Sequence, residues 1–378
     1  MHPRLLLVRS DHLGDVVFTL PAAPLIRRLV PSARITYLVQ PALEALPARC
    51  PAVDEVIGIP FPPVLAPYEA AAWRDVVARH APALRGRFDA ALLLRPEDPW
   101  SGALAHAAGI PVRVGCLEPR TRGFLTHGID HRADLHASDL ARRIAVAALA
   151  AIGVAAPGTE AADAGPVLVP TEADRREAAE ALDPLVPRVG TRPAIIHPGV
   201  GWRLKRWPPE RWGQVAAGVH AEFGRRVVVV GGPDEGGLVD AVVAAGGGAA
   251  MALPTVVSVG GLAGLLERAA AVAACDSGPF HLAAALGTPA VGLYGPADPV
   301  AAAPLSAADR HRVLRLDLPC APCRELVDPP CGAAVDPACM AGLGVDAVVE
   351  ALGEVAGWRS AHPTEAPARP ETGGAALA

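Results

Sequence analysis

Short apolar runs and amphipathic stretches alternate along most of this chain. Residues 5–8 form a continuous apolar run of buried-strand type, and residues 16–29 carry apolar positions at helical spacing. Further strand-like runs follow at 35–39 and 90–94, the latter entered from Phe88-Asp89, with a shorter one at 112–116. Strands separated by helices predict a parallel sheet covered on both faces. A polar, Pro-rich stretch from about 157 to 193 interrupts the pattern, with one helical piece at 172–182 inside it. The alternation then restarts, with strands at 194–197, 227–230, 271–275 and 290–294 and helices at 209–223, 262–270 and 280–286. This pattern predicts an α/β protein of two modules, residues 1–170 and 193–358, joined by a linker at 171–192. A cleft between them is where ligands of such sheets bind, at the C-terminal ends of the strands. The last residues, 359–378, are mainly Pro, Thr, Gly and Ala without periodicity and are expected to be disordered.

Composition narrows the functional classes. Aromatic residues make up only 4% of the 378 positions, so the cores must be built from Ala, Val and Leu. The formal net charge is −5, without the basic excess of a general nucleic-acid binder. The start of the chain runs directly into Arg4-Leu5-Leu6-Leu7-Val8-Arg9, too short for a signal-peptide core and without a small-residue cleavage site. The longest apolar stretch, 144–156, is shorter than the roughly 18 residues a membrane span requires and predicts a buried Ala-rich helix. A cytoplasmic protein with mostly reduced cysteines is expected.

The first strand-to-helix turn, Arg9-Ser10-Asp11-His12-Leu13-Gly14-Asp15, holds a single Gly and is not a dinucleotide fingerprint. Gln40, not an acidic residue, follows the second strand, which argues against an NAD enzyme, and no P-loop motif occurs. The turn presents Asp15 at a helix start facing the cleft. Its carboxylate can take a proton from a sugar hydroxyl, or simply cap the helix. In the second half, Asp276-Ser277-Gly278-Pro279-Phe280-His281 turns from a buried strand into a helix. Free N–H groups there, the Ser277 hydroxyl, a close approach at Gly278 and a donor on His281 suit a diphosphate. Lys205 offers a point charge for phosphate, and Glu235, after Gly231-Gly232-Pro233-Asp234, an acceptor for ribose hydroxyls. Taken singly, each of these residues also fits ordinary loop chemistry. Together they describe a nucleotide-diphosphate site.

Four segments resemble glycosyltransferase family 9, the ADP-heptose:lipopolysaccharide heptosyltransferases. They are Gly14-Asp15 with Thr19-Leu20-Pro21-Ala22, Lys205-Arg206-Trp207-Pro208, Gly231-Gly232-Pro233-Asp234-Glu235, and Asp276-Ser277-Gly278 with His281 and Tyr294-Gly295-Pro296. The resemblance runs from residue 4 to about residue 355. It implies a GT-B fold, two Rossmann-like domains with parallel sheets facing across a cleft. It also implies an inverting, metal-independent transfer of a sugar, typically a heptose from ADP-heptose, to a cell-surface glycan or lipopolysaccharide-type acceptor. By resemblance Asp15 is the catalytic base, and Lys205 binds donor phosphate. Glu235 then sits at the donor ribose, and Asp276, Ser277, Gly278 and His281 form the donor-diphosphate loop. No cofactor is then required for catalysis.

Acceptor-side candidates are Arg9, Ser10, Asp11, His12 and Gly14 beside Asp15, with Arg95 at a strand end and the Arg120-Thr121-Arg122 loop. A lipid-linked acceptor would bring the protein to the inner membrane face as a peripheral partner. Cys320, Cys323, Cys331 and Cys339 have a spacing that can hold structural zinc, although packed thiols or disulfides fit it too. Two other functions stay open on the residues alone. One is a GT-B sugar-nucleotide epimerase or hydrolase, which needs no acceptor; the other is a non-catalytic nucleotide-sugar-binding scaffold.

Overall fold

The computed structural model describes residues 2–61, 70–132, 134–155, 167–186, 192–304 and 309–359; the tail predicted to be disordered lies almost wholly outside them. Two sheets, each six-stranded and parallel throughout, organise the chain. The first is built from β1 (Arg4–Val8), β2 (Arg34–Val39), β3 (Glu55–Gly58), β4 (Ala90–Leu93), β5 (Val112–Cys116) and β6 (His127–Ile129). The second holds β7 (Ala194–His197), β8 (Val227–Val229), β9 (Ala250–Ala252), β10 (Ala271–Cys275), β11 (Ala290–Leu293) and β12 (His311–Leu314).

Their orders, β3-β2-β1-β4-β5-β6 and β12-β11-β10-β7-β8-β9, are one topology used twice. In each, the chain reverses its direction of travel across the sheet between two central strands, β1 and β4 or β7 and β10. Ligands of open parallel sheets collect in the crevice at that switch point, beyond the strand C-termini. The loops after these four strands begin at Arg9, Leu94, Pro198 and Asp276. Topology alone therefore brings the Asp15, Lys205 and Asp276 segments to the switch points, with the Glu235 segment one strand further out, after β8.

Strand periodicity supplies both faces of the core. Leu5 and Leu7 of β1 join one buried cluster, and Leu6 and Val8 join the cluster on the other face. The first of these clusters is continuous with Ile195, Val228, Leu265 and Phe280 of the second half, so apolar packing links the two sheets. The Ala-rich helix Ala137–Ala151 buries Ile144, Ala145 and Ala148 against the first sheet.

One helical expectation is corrected. Residues 16–29 are not a single helix but two, Leu13–Thr19 and Ala22–Leu29. Pro21 lacks an N–H, and its ring excludes the carbonyl a turn earlier, so the helix stops before it. The helical piece inside the polar stretch is present as Glu172–Leu182, closed by a Thr171–Asp174 capping box. It packs on the helix Val259–Arg268 of the second half, while Asp174 takes a bidentate bond from Arg49 of the first, at 2.8 and 2.6 Å.

Candidate active site

The site forms where the helices Leu13–Thr19 and Gly278–Ala285 meet start to start across the cleft. Two glycines permit this approach. A Cβ on Gly14 would stand 2.9 Å from Cδ2 of His281, and one on Gly278 would stand 2.8 Å from Cδ2 of Leu13. Gly278 is thus turned to Leu13, and Gly14 to the His281 ring. Space for a neighbouring helix accounts for the missing Cβ at both positions. Phe18 closes the contact, its ring 4.4 Å from that of His281 and 5.4 Å from that of His136. His136 accepts from the Ser138 N–H through Nδ1, so its Nε2–H donates to the Ala303 carbonyl at 2.6 Å, another tie between the halves.

On the first-sheet side, Asp15 does not cap its helix. His12 holds the N-cap position, and no side chain makes a capping bond there. The Asp15 carboxylate instead meets Arg9 Nη2 at 2.8 Å and His12 Nδ1 at 3.3 Å and keeps 34% of its surface exposed. Burial works to raise its pKa, but the Arg9 guanidinium, the His12 bond and Arg95 outweigh it and hold the carboxyl well below its usual range. His12, in turn, is raised by its bond to Asp15. Arg9 also donates to both oxygens of Asp11, at 2.5 and 3.0 Å, and to the Leu94 carbonyl at 2.9 Å.

The other acceptor-side candidates are mostly scaffold. Ser10 is buried and donates to Asp98; Asp11 is buried beneath Arg9; Arg95 turns to Asp11, with Nε 3.5 Å from its carboxylate. Of that group His12 is the most exposed, Arg9 stands in the wall of a cavity, and Arg95 keeps 17% of its side chain exposed with its Nη1 unpartnered among the described residues. Arg120 and Arg122 are exposed and do not line that cavity.

On the second-sheet side, Asp276 at the end of β10 is 6% exposed and carries two partners. Lys205 Nζ donates to one oxygen at 2.5 Å, and His281 Nε2 meets the other at 2.9 Å. Burial pushes Asp276 up, but His281 and Lys205 more than offset this and bring it down to about 2. Ser277 Oγ and His281 Nδ1 are buried with no partner among the described residues. Unpaired buried polar atoms are costly, so a pair of them beside a cation marks a place for a polar ligand. Glu235 lies one loop further along. Its carboxylate accepts from the Gly232 N–H at 2.7 Å, sits over Gly199 where a Cβ would overlap it, and is 3.5 Å from His197 Nε2.

A cavity of about 390 Å³ opens between the halves. Arg9, Lys205 and Asp276 line it, together with residues the sequence did not single out: His131, Arg132, Asp298 and Arg324. Glu235, Ser277 and Gly278 do not.

Among the described residues the four late cysteines do not converge on one point as zinc ligands would. Cys339 is buried against Gly295, where a Cβ would stand 3.0 Å from its sulfur, whereas Cys320 and Cys331 are exposed. Burial, aided by the other three cysteines, raises the Cys339 thiol. The one His/Cys/Asp/Glu set whose ligand atoms converge among the described residues is Asp11, His12 and Asp15, within 4.8 Å of one another. Arg9 already bridges its two carboxylates. No helix among the described residues is long and apolar enough to cross a membrane.

Comparison with known proteins agrees with this architecture. Lipopolysaccharide heptosyltransferase 1 of Pseudomonas aeruginosa is 29% identical over 330 residues, covering 85% of this chain and 86% of that protein. A solved glycosyl transferase family 9 structure from Veillonella parvula superimposes with a TM-score of 0.67 at 26% identity, over 82% of this chain and 85% of its own. E. coli ADP-heptose LPS heptosyltransferase II shares the fold at a TM-score of 0.73 and 21% identity, over 93% and 98% of the two chains. This is the GT-B arrangement that the motifs imply. Residues 77–331 match the profile described as Glycosyltransferase family 9 (heptosyltransferase), and the chain belongs to that family of glycosyltransferases.

Proposed function

We propose that this glycosyltransferase moves a heptose from ADP-heptose to a lipopolysaccharide-type acceptor, with inversion at the anomeric carbon and without a divalent ion. The juxtaposition of Asp15 and the Lys205–Asp276–His281 cluster across one helix-to-helix contact carries this reading. Both relatives named as heptosyltransferases support the substrate class.

In this reading the donor diphosphate binds at Lys205, Ser277 and His281, with Glu235 at the ribose. Lys205 has three donors and spends one on Asp276, so it can hold a phosphate oxygen without leaving its carboxylate. The Asp276 bond fixes the His281 ring and leaves Nδ1 to the ligand. As the sugar–phosphate bond breaks, the Lys205 ammonium and the free Ser277 hydroxyl stabilise charge growing on the departing nucleotide diphosphate. No metal is assigned a role in that step, because Lys205 supplies positive charge and Ser277 a donor.

Asp15 receives the acceptor proton. Arg9 and His12 keep it ionised, which makes it a weak base at rest. Proton transfer is therefore late: the hydroxyl becomes acidic only as its oxygen bonds to the anomeric carbon. Arg9 and Asp11 act behind it, holding the carboxylate's position.

The test is transfer from ADP-heptose to heptose-free lipopolysaccharide by enzyme treated with EDTA, with NMR of the product linkage. Transfer at the untreated rate with inverted configuration is expected. Retained configuration, or activity restored only by a divalent ion, overturns the mechanism. Consumption of the donor at the same rate without acceptor would favour the epimerase or hydrolase reading instead.

A further inference from the structure

The cavity between the halves has one wall the donor reading leaves unused. Arg324 reaches it from the cysteine-rich segment, where no regular element supports the chain between Leu314 and Ala338. Its backbone is held at φ +63, in the left-handed region that residues with a Cβ seldom occupy. Its N–H donates to the Pro296 carbonyl at 2.8 Å. Pro296 follows Gly295, which lacks a Cβ where Met340 and Cys339 press against it. The cysteine-rich segment is thus seated on the end of β11, and the seat fixes where Arg324 points.

The guanidinium is anchored through Nη2 to Asp298, whose other oxygen caps the short helix Pro299–Ala302. Its remaining N–H groups meet no protein acceptor among the described residues, and the side chain is 54% exposed. Arg9 and Arg132 have fuller sets of partners, while Lys205, like Arg324, holds a single carboxylate. Arg9 is shared by Asp11, Asp15 and the Leu94 carbonyl; Arg132 is bidentate with Asp134; Lys205 is bound by Asp276. Residues assigned to the nucleotide, Glu235, Ser277 and Gly278, lie outside this wall, whereas Leu94, Pro96, Leu135 and Leu140 of the first half lie within it. The chamber, which Lys205 and Asp276 also line, therefore runs from the proposed phosphate cluster toward the first half, the side from which an acceptor would enter.

We infer that Arg324 forms an anion subsite for the acceptor, recognising a phosphate or carboxylate on the sugar acid or sugar phosphate that receives the transferred residue. The inference rests on the proposed donor site only in placing the acceptor beyond Lys205. A planar fork with an anchored Nη2 and an open edge suits bidentate contact with either anion. A left-handed arginine held by its neighbours is a conformation that persists where the surroundings impose it.

A purely structural alternative is available, in which Arg324 only braces Asp298. The experiment separates the two. Saturation-transfer NMR follows glucose 6-phosphate, glucuronate and glucose binding to the full chain, with ADP present to fill the donor site. Wild type is expected to bind at least one anionic sugar about tenfold more tightly than glucose, and the one preferred identifies phosphate or carboxylate. Arg324→Ala is expected to lose that preference, and Arg324→Lys to retain part of it. Asp298→Asn keeps an oxygen for the helix cap but releases the guanidinium, so anion binding should be unchanged or tighter. Equal binding of all three sugars to wild type, or an unaltered preference in Arg324→Ala, overturns the inference. So does an Asp298→Asn variant that loses anion binding as fully as Arg324→Ala, since that is what a brace would do. Failure of ADP to bind would remove the donor reading, while the difference between wild type and Arg324→Ala would still report on this subsite.

Discussion

Asp15 and Asp276 face each other across the cleft, and both carboxylates are held charged by a cation and a histidine. Arg9 and His12 surround Asp15; Lys205 and His281 surround Asp276. The difference is access. Asp276 is 6% exposed and uses both oxygens on protein partners, while Asp15, in the first turn of a short helix, keeps 34% of its side chain exposed. A buried, fully satisfied carboxylate fixes the geometry of its partners; an open one can exchange a proton with a substrate. The same chemistry thus yields a closed carboxylate in one half and, in the proposed mechanism, the proton acceptor in the other. A third aspartate sharpens the point. Asp98, 1% exposed, has Ser10 and Ser101 as side-chain partners instead of cations, and burial raises it to about 6.

The largest expected effect belongs to the open carboxylate. Asp15→Ala should lower kcat by about a thousandfold, roughly 4 kcal/mol of transition-state stabilisation, with its melting temperature close to wild type. Circular dichroism melting beside a transfer assay checks both halves of that statement. Asp276→Asn should reverse the pattern. It leaves the half-buried Lys205 ammonium without its counter-charge, so a loss of about 3 kcal/mol in denaturant unfolding is expected, along with weaker ADP binding. If Asp276→Asn were as stable as wild type, the scaffold side of the contrast would be lost.

Stability against pH separates the two buried aspartates by sign. Asp276 falls from an ordinary 3.8 to about 2, so its contribution is complete above about pH 4 and disappears as the pH falls toward 2. Asp98 rises from 3.8 to about 6, so the folded state binds the proton more tightly, and stability declines as the pH climbs from about 4 to about 6. Asp98→Asn keeps the helix cap and should gain about 2 kcal/mol at pH 8, measured by urea unfolding. No gain at pH 8 together with an unchanged acid profile would contradict the assignment. The smallest effect is expected at the helix contact. Gly14→Ala must push against the His281 ring edge, costing about 1 kcal/mol and weakening ADP binding modestly through that ring.

How much of this was legible in the sequence follows from burial. All eight interior strands, β1, β2, β4, β5, β7, β8, β10 and β11, stand out as apolar runs, while the four strands the pattern does not reveal, β3, β6, β9 and β12, are the sheet edges. Interior strands are covered on both faces and read continuously; edge strands such as His127–Ile129 are short and largely exposed. Polar chemistry shows the same division. Asp15, Lys205, Asp276 and His281 follow directly on strands or helix starts whose positions the pattern supplies. Arg324 and Asp298 carry no such signal, because their meeting depends on how the cysteine-rich segment seats on Gly295 and Pro296. Gly14 and Gly278 are visible as glycines, but their reason, the contact between two helix starts, requires the fold.

In the proposed mechanism Asp15 performs chemistry and does not build the site. Heptose transfer from ADP-heptose to heptose-free lipopolysaccharide, measured for wild type and Asp15→Asn with ADP affinity determined on the same samples, tests it most directly. The account predicts ADP binding within about twofold of wild type and transfer slower by about a thousandfold. Transfer near the wild-type rate, or a loss of ADP binding that accounts for the loss of rate, would contradict it.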